Sequence, residues 1–199
     1  MVDYDRLKFG KDGKVTISSV KDFINWCSSD EVWDAWYELC TEYADEYLMS
    51  YKTFYRGLIL AYEKSKTSVY GGKELFDEVA DSWYDFALKK DKDFYDNLKT
   101  DKKGYVTLYR GCSQTEIDND EIGTSWTTNR GIAEFFAFRF DKPDAVVLKA
   151  QVHKYDIASV ITSRGEEEVI VTEIEDYEIV TRQKTDYYDQ YMKYKEKHP

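Results

Sequence analysis

The chain has 199 residues, room for one domain or one domain with an appended lobe, and at 42% apolar it can bury a proper core. A formal net charge of −11 opposes non-specific binding to nucleic-acid phosphates and restricts any nucleic-acid substrate to a local basic groove. Three cysteines (Cys27, Cys40, Cys112) without C-x-x-C spacing argue against a disulfide framework and for a reduced compartment, while two histidines (His153, His198) give a His-based metal site or a Ser-His-Asp triad little support.

The first residues, Met1-Val2-Asp3-Tyr4-Asp5-Arg6, lack the regions of a signal peptide, and no window approaches ~18 consecutive apolar residues, so neither export nor a transmembrane helix is expected. Residues 1–17 read as an extended segment with a turn at Gly10-Lys11-Asp12-Gly13, and Ser18-Ser19 offers an N-cap. Val20, Phe23, Ile24 and Cys27 then form a helical stripe, and Ser28 to Glu31 caps a second helix carrying Val32, Trp33, Trp36, Leu39, Cys40 and Tyr43. A third pattern covers about 50–64 through Tyr51, Phe54, Tyr55, Leu58 and Tyr62. Residues 65–72 read as a loop, and Leu75, Phe76, Val79, Trp83 and Phe86 mark a helix continuing toward Phe94 and Leu98.

The pattern changes at the turn Asp101-Lys102-Lys103-Gly104. Strands are predicted over 105–110, 145–152, 169–173 and 177–182, with one helix near 130–139. Helices first and strands second argue for α+β packing. The expected organisation is a mainly helical lobe over 1–100, a β-rich core over 101–185 and a polar tail over 186–199, together one compact domain. The tail reads as a last helix or a frayed end.

Three short motifs stand in the second half. Tyr109-Arg110-Gly111 closes a strand, Ser125-Trp126-Thr127 opens another, and Glu166-Glu167-Glu168 leads into Val169-Ile170-Val171. Arginine offers a planar fork for phosphate oxygens, which suits Arg110, and Gly111 admits a close approach to the backbone. Ser125 suits a hydrogen bond that holds a carboxylate ionised, and Thr127, two residues on, faces the same side of a strand. Glu168, at the start of an apolar strand, suits stabilisation of developing positive charge. Glu166 would share its direction in an extended segment and could take a proton from a guanidinium. Tyr55-Arg56-Gly57 repeats the first motif inside a helical pattern, and Arg56 reads as a surface or packing residue.

This order resembles the Arg–Ser–Glu class of mono-ADP-ribosyltransferases over about residues 104–182. The detail Ser-Trp-Thr, with Trp126 in place of a small residue, followed by the Ala133 to Ala137 helix, looks most like small phage and prophage members. The resemblance implies a split β-sandwich around an NAD cleft with a helical lobe. It implies NAD as substrate, with Arg110, Gly111, Ser125 and Thr127 on the cofactor, Glu168 as catalytic glutamate with Ser125 beside it, and Glu166 serving an arginine acceptor. The loop near Ile161–Gly165 would help choose that acceptor, and Tyr109, Phe135 or Phe136 would stack on nicotinamide. The implied function is transfer of ADP-ribose from NAD to a protein arginine. An NAD glycohydrolase and a non-catalytic binding or inhibitor protein are the alternatives. The expected setting is cytoplasmic, that of the host if phage-encoded, with no membrane partner and no metal. Host transcription, translation or defence proteins are the expected targets, and a nucleic-acid acceptor stays open.

Overall fold

The computed structural model describes residues 7–43, 49–65 and 72–198. Its architecture is α+β. The chain divides into two compact units, Met1–Ala87 and Leu88–Pro199. The boundary thus precedes the expected one near residue 100.

The first unit is helical. Helices α1 (Ile17–Trp26), α2 (Val32–Tyr43) and α3 (Tyr51–Lys64) bury the stripes that the sequence spaces at i, i+3, i+4. Val20, Phe23, Ile24, Trp33, Trp36, Leu39, Tyr55 and Leu58 are all buried, whereas Tyr51 is exposed. The N-cap of α1 is Thr16, which accepts from Ser19 N–H at 3.2 Å, so the helix starts before the expected Ser18-Ser19 cap. Lys64 closes the other end of α1 by donating to the carbonyls of Ile24, Asn25 and Cys27. Gly57 lies under Trp36; a Cβ there would stand 2.1 Å from the indole ring. The second Tyr-Arg-Gly triplet is therefore a helix-packing feature. Residues 1–6 and most of the expected loop at 65–72 lie outside the described residues, and Gly72 already begins α4 (Gly72–Asp77). The long helix expected over 75–98 is three short ones: α4, α5 (Trp83–Phe86) and α6 (Lys89–Asp96).

The second unit holds α6 and a six-stranded antiparallel sheet of order β4-β5-β2-β1-β3-β6. The strands are β1 (Tyr105–Ser113), β2 (Ser125–Thr127), β3 (Ala145–His153), β4 (Ser159–Ile161), β5 (Glu168–Ile170) and β6 (Tyr177–Thr181). β1 and β3 pair along their full lengths, from Tyr105↔His153 to Ser113↔Ala145. β1 and β2 share a single register pair, Tyr109↔Thr127. The sheet therefore consists of two three-stranded halves, β4-β5-β2 and β1-β3-β6, with one register pair between them.

Helices α7 (Gln114–Asp118) and α8 (Arg130–Phe138) follow β1 and β2. Asn129 caps α8 by accepting from Gly131 and Ile132 N–H. Ala133, Ala137 and Phe138 pack on Ala145 and Val147, with Tyr109 at the margin. Residues 186–197 form α9 (Asp186–Lys197) and belong to this unit, not to a separate tail. Two features bind it to α8. Gly131 leaves room for Tyr187 and Tyr191. The fully buried Glu134 accepts from Arg130 Nε at 3.0 Å and from both the backbone N–H (3.0 Å) and the hydroxyl (2.7 and 2.9 Å) of Thr185.

Candidate active site

The site lies where β2 meets β5. Thr127 and Glu168 are register partners, as are Ser125 and Ile170. Side chains alternate along a strand, so Ser125, Thr127 and Glu168 share one face and Trp126, buried at 2% exposure, takes the other. The Ser125 hydroxyl donates to Glu168 Oε1 at 2.5 Å. The other Glu168 oxygen accepts from Arg164 Nη2 at 2.7 Å. Glu168 is 3% exposed, so its charge sits away from water with a hydroxyl and a guanidinium to hold it.

Arg164 is the site residue that motif reading passed over. It stands inside the loop expected to matter for acceptor choice, and only its position four residues before Glu168 hinted at contact. Its Nε pairs with Glu166 Oε2 at 3.4 Å, so one guanidinium spans both glutamates. The expected reason for their shared direction does not hold. Glu167, between them, has φ of 48°, and the segment is not extended there. Its carboxylate is turned aside to accept from the Thr128 hydroxyl at 2.6 Å. The two flanking glutamates meet through a kinked backbone and a common arginine.

Thr127 acts on the same run through the main chain. Its hydroxyl donates to the Glu166 carbonyl at 3.0 Å and accepts from Asn129 N–H at 3.1 Å, linking the acidic loop to the start of α8. Glu166 is half-buried, and burial pushes its carboxyl above the usual glutamate range. Glu168 acts in the same direction; Arg164, Arg139 and Lys195 oppose it. Burial also raises the Tyr191 hydroxyl, and Glu166 adds to that shift.

Arg110 stands apart from this face. Tyr109 is level with Thr127, so Arg110 is offset by one residue and departs from the opposite face of the pleat. Its fork is engaged with the protein: Nη1 donates to the Ser125 carbonyl at 2.7 Å, and Nη2 pairs with Glu116 at 3.2 Å. Glu116 is itself fixed in a capping box with Ser113 at the start of α7. The buried Arg110 Nε has no hydrogen-bond partner among the described residues. Gly123 lies against the guanidinium, where a Cβ would be 2.5 Å from Nη2. Gly111 needs to be glycine because of α8: a Cβ would stand 2.2 Å from Ala133 O and 2.5 Å from Ala137 N. The backbone that approaches it closely is the protein's own.

Among the aromatics considered for nicotinamide, Tyr109 packs with the α8 core. Phe135 lies edge-on to Phe136 and is tilted against Tyr191, with Lys195 over its ring. Arg139 lies over Phe136. Among the described residues no cluster of three His, Cys, Asp or Glu is arranged to hold a metal ion, and no helix is long and apolar enough to cross a membrane.

No family model, no curated protein and no solved structure matches the chain.

Proposed function

We propose that the chain is a mono-ADP-ribosyltransferase that moves ADP-ribose from NAD to a protein arginine. The observation that carries this reading is the buried Glu168 carboxylate, held on one side by Ser125 and on the other by Arg164, with Glu166 on the same guanidinium. NAD supplies a ribose joined to a cationic nicotinamide, which is a good leaving group. Glu168 would face that ribose and offset the positive charge that develops as the bond breaks. Ser125 fixes its rotamer. Glu166, with a carboxyl less acidic than usual, suits removal of a proton from an incoming guanidinium.

The fit to NAD rests on two features. The Arg110 guanidinium supports the Ser125 carbonyl, so the proposed cofactor arginine and the catalytic serine would be coupled through one side chain. β1 and β2 share a single register pair between two three-stranded halves, in keeping with a split sheet. Acceptors of basic character suit the net charge of −11.

A specific contact favours a second reading, NAD hydrolysis. Glu166 is already paired with Arg164, and water needs no second carboxylate. Incubation with labelled NAD and an arginine-rich acceptor protein separates the readings. Label in the acceptor supports transfer, free ADP-ribose alone supports hydrolysis, and neither product leaves a binding protein.

A further inference from the structure

We propose, resting on the transferase reading, that Arg164 is a positioning residue of the transfer step. Its fork sets the spacing between the ribose-facing carboxylate of Glu168 and the acceptor-facing carboxylate of Glu166, and so couples NAD cleavage to transfer.

The backbone does not align the two carboxylates by itself. Glu167 between them takes φ of 48°, which breaks the alternation that would send both to one side of a strand. Glu168 is held independently, by the Ser125 hydroxyl from β2 at 2.5 Å. Glu166 is anchored by its carbonyl, which accepts from the Thr127 hydroxyl at 3.0 Å, while among the described residues the ion-pair partner of its carboxylate is Arg164. One guanidinium reaches both acids: Nη2 lies 2.7 Å from Glu168 Oε2, and Nε lies 3.4 Å from Glu166 Oε2. Donors on two edges of a rigid plane impose a spacing that a single ammonium cannot.

The clamp is itself fixed. On the β4 side, Thr162 donates through its N–H (3.1 Å) and its hydroxyl (2.7 Å) to Asp91 Oδ1 on α6, and Asp91 is buried. Gly165 N–H donates to the Thr162 carbonyl at 3.1 Å, and Gly165 takes φ of 69°, a turn that brings Arg164 back to Glu168. The shorter contact falls on the buried Glu168 and the longer on the half-buried Glu166. An incoming guanidinium would meet Glu166 already turned toward the ribose. An ionised carboxylate accepts about four hydrogen bonds, so Arg164 and the acceptor can share it.

In the transfer step the ribose C1′–nicotinamide N1 bond breaks and its electron pair leaves with nicotinamide. An acceptor Nη bonds to C1′, and the proton that it sheds passes to Glu166. That proton transfer requires Glu166 within reach of the reacting carbon, which the bridge through Arg164 secures. Water needs no such bridge, so its loss shifts the outcome toward hydrolysis. Arg164 also supports the base form of Glu166. Burial raises that carboxyl, and so does Glu168 on β5. Arg164 is the leading charge against the rise, ahead of Arg139 beyond α8 and Lys195 on α9, with Tyr191 of α9 and Glu167 in the same surroundings. Removing the charge at position 164 therefore raises the Glu166 carboxyl further, and its base form is lost at a higher pH on acidification.

The test measures both products at saturating labelled NAD with an arginine-rich acceptor protein, for the wild type, Arg164→Lys and Arg164→Gln. Circular dichroism and melting check each fold. Both variants are expected to lower the ratio of transfer to hydrolysis by at least about 10-fold, since neither can bridge the two carboxylates. Arg164→Lys keeps the charge, so its acid limb of transfer is expected to stay with the wild type, and that of Arg164→Gln to move to higher pH. An unchanged ratio in the folded variants, or an equal fall in both activities, makes Arg164 a structural tie only; the inference fails and the transferase reading survives. Full transfer by Arg164→Lys, or an unmoved limb in Arg164→Gln, also overturns it. Hydrolysis without transfer by the wild type overturns the inference and the transfer reading together and leaves hydrolysis. Neither product from the wild type overturns all three.

Discussion

Ser125 and Glu168 are bonded diagonally across β2 and β5. Their register partners are Ile170 and Thr127, yet the Ser125 hydroxyl reaches Glu168 Oε1 at 2.5 Å. A buried carboxylate is thereby given a fixed rotamer by a neighbouring strand instead of by its own loop. Glu168→Gln keeps the size and removes the charge. Transfer and NAD hydrolysis are expected to fall by at least about 100-fold, roughly 2.7 kcal/mol of transition-state stabilisation, with little change in melting temperature. Near-normal turnover would remove Glu168 from the chemistry.

Arg110→Lys keeps a charge but cannot span both Ser125 O and Glu116. NAD binding is expected to weaken by about 1–3 kcal/mol. Arg56→Lys, in the twin triplet on α3, is the matched control and is expected to leave NAD binding unchanged. Calorimetric titration of both variants decides it; a larger effect at Arg56 would mean the wrong arginine was assigned.

Glu166→Gln is expected to lower transfer to an arginine-rich protein far more than it lowers NAD hydrolysis, since only a guanidinium must lose a proton as it attacks. The pH profile carries the same test. Burial and Glu168 raise the Glu166 carboxyl against the pull of Arg164, Arg139 and Lys195, and Tyr191 shares the same surroundings. The base form is then lost on acidification at a higher pH than an ordinary glutamate gives. Transfer should show an acid limb displaced upward, absent from the residual activity of the glutamine variant. An unmoved limb would place the proton elsewhere.

Gly111→Ala puts a methyl into the backbone of α8, 2.2 Å from Ala133 O, where no flexible side-chain tip can yield. Urea unfolding should show a loss of about 1–3 kcal/mol or more. A neutral result would show that α8 sits farther from β1 than the geometry states.

Glu134→Ala removes the acceptor for Arg130 and for two donors of Thr185, and leaves a guanidinium beside a buried gap. Destabilisation of about 3–5 kcal/mol is expected. Hydrogen exchange should rise first in α9, because Thr185 is its N-cap.

Local chemistry was readable from the chain. The apolar spacing that marks Val20, Phe23 and Ile24 on α1, or Trp33 and Trp36 on α2, follows from the helical repeat and needs no partner to be recognised. The alternation over Tyr105–Arg110 and Ala145–Val152 identified β1 and β3, the longest strands of the sheet, for the same reason. Short elements were not readable. β4 has three residues and α7 has five, too few for a period to emerge. The polar face of α9 resembles a tail until Gly131 and Glu134 on another helix meet it.

The sequence by itself determined the α+β order and the candidate residues Arg110, Ser125, Glu166 and Glu168, because residue type and local period are properties of a short window. Tertiary structure alone decided how they meet. Register pairing sets Ser125 and Glu168 on one face and Arg110 on the other. A left-handed residue at Glu167 and a turn at Gly165 return Arg164 to both glutamates. These are contacts between segments distant in sequence, or consequences of single backbone angles, and neither leaves a periodic trace in the chain.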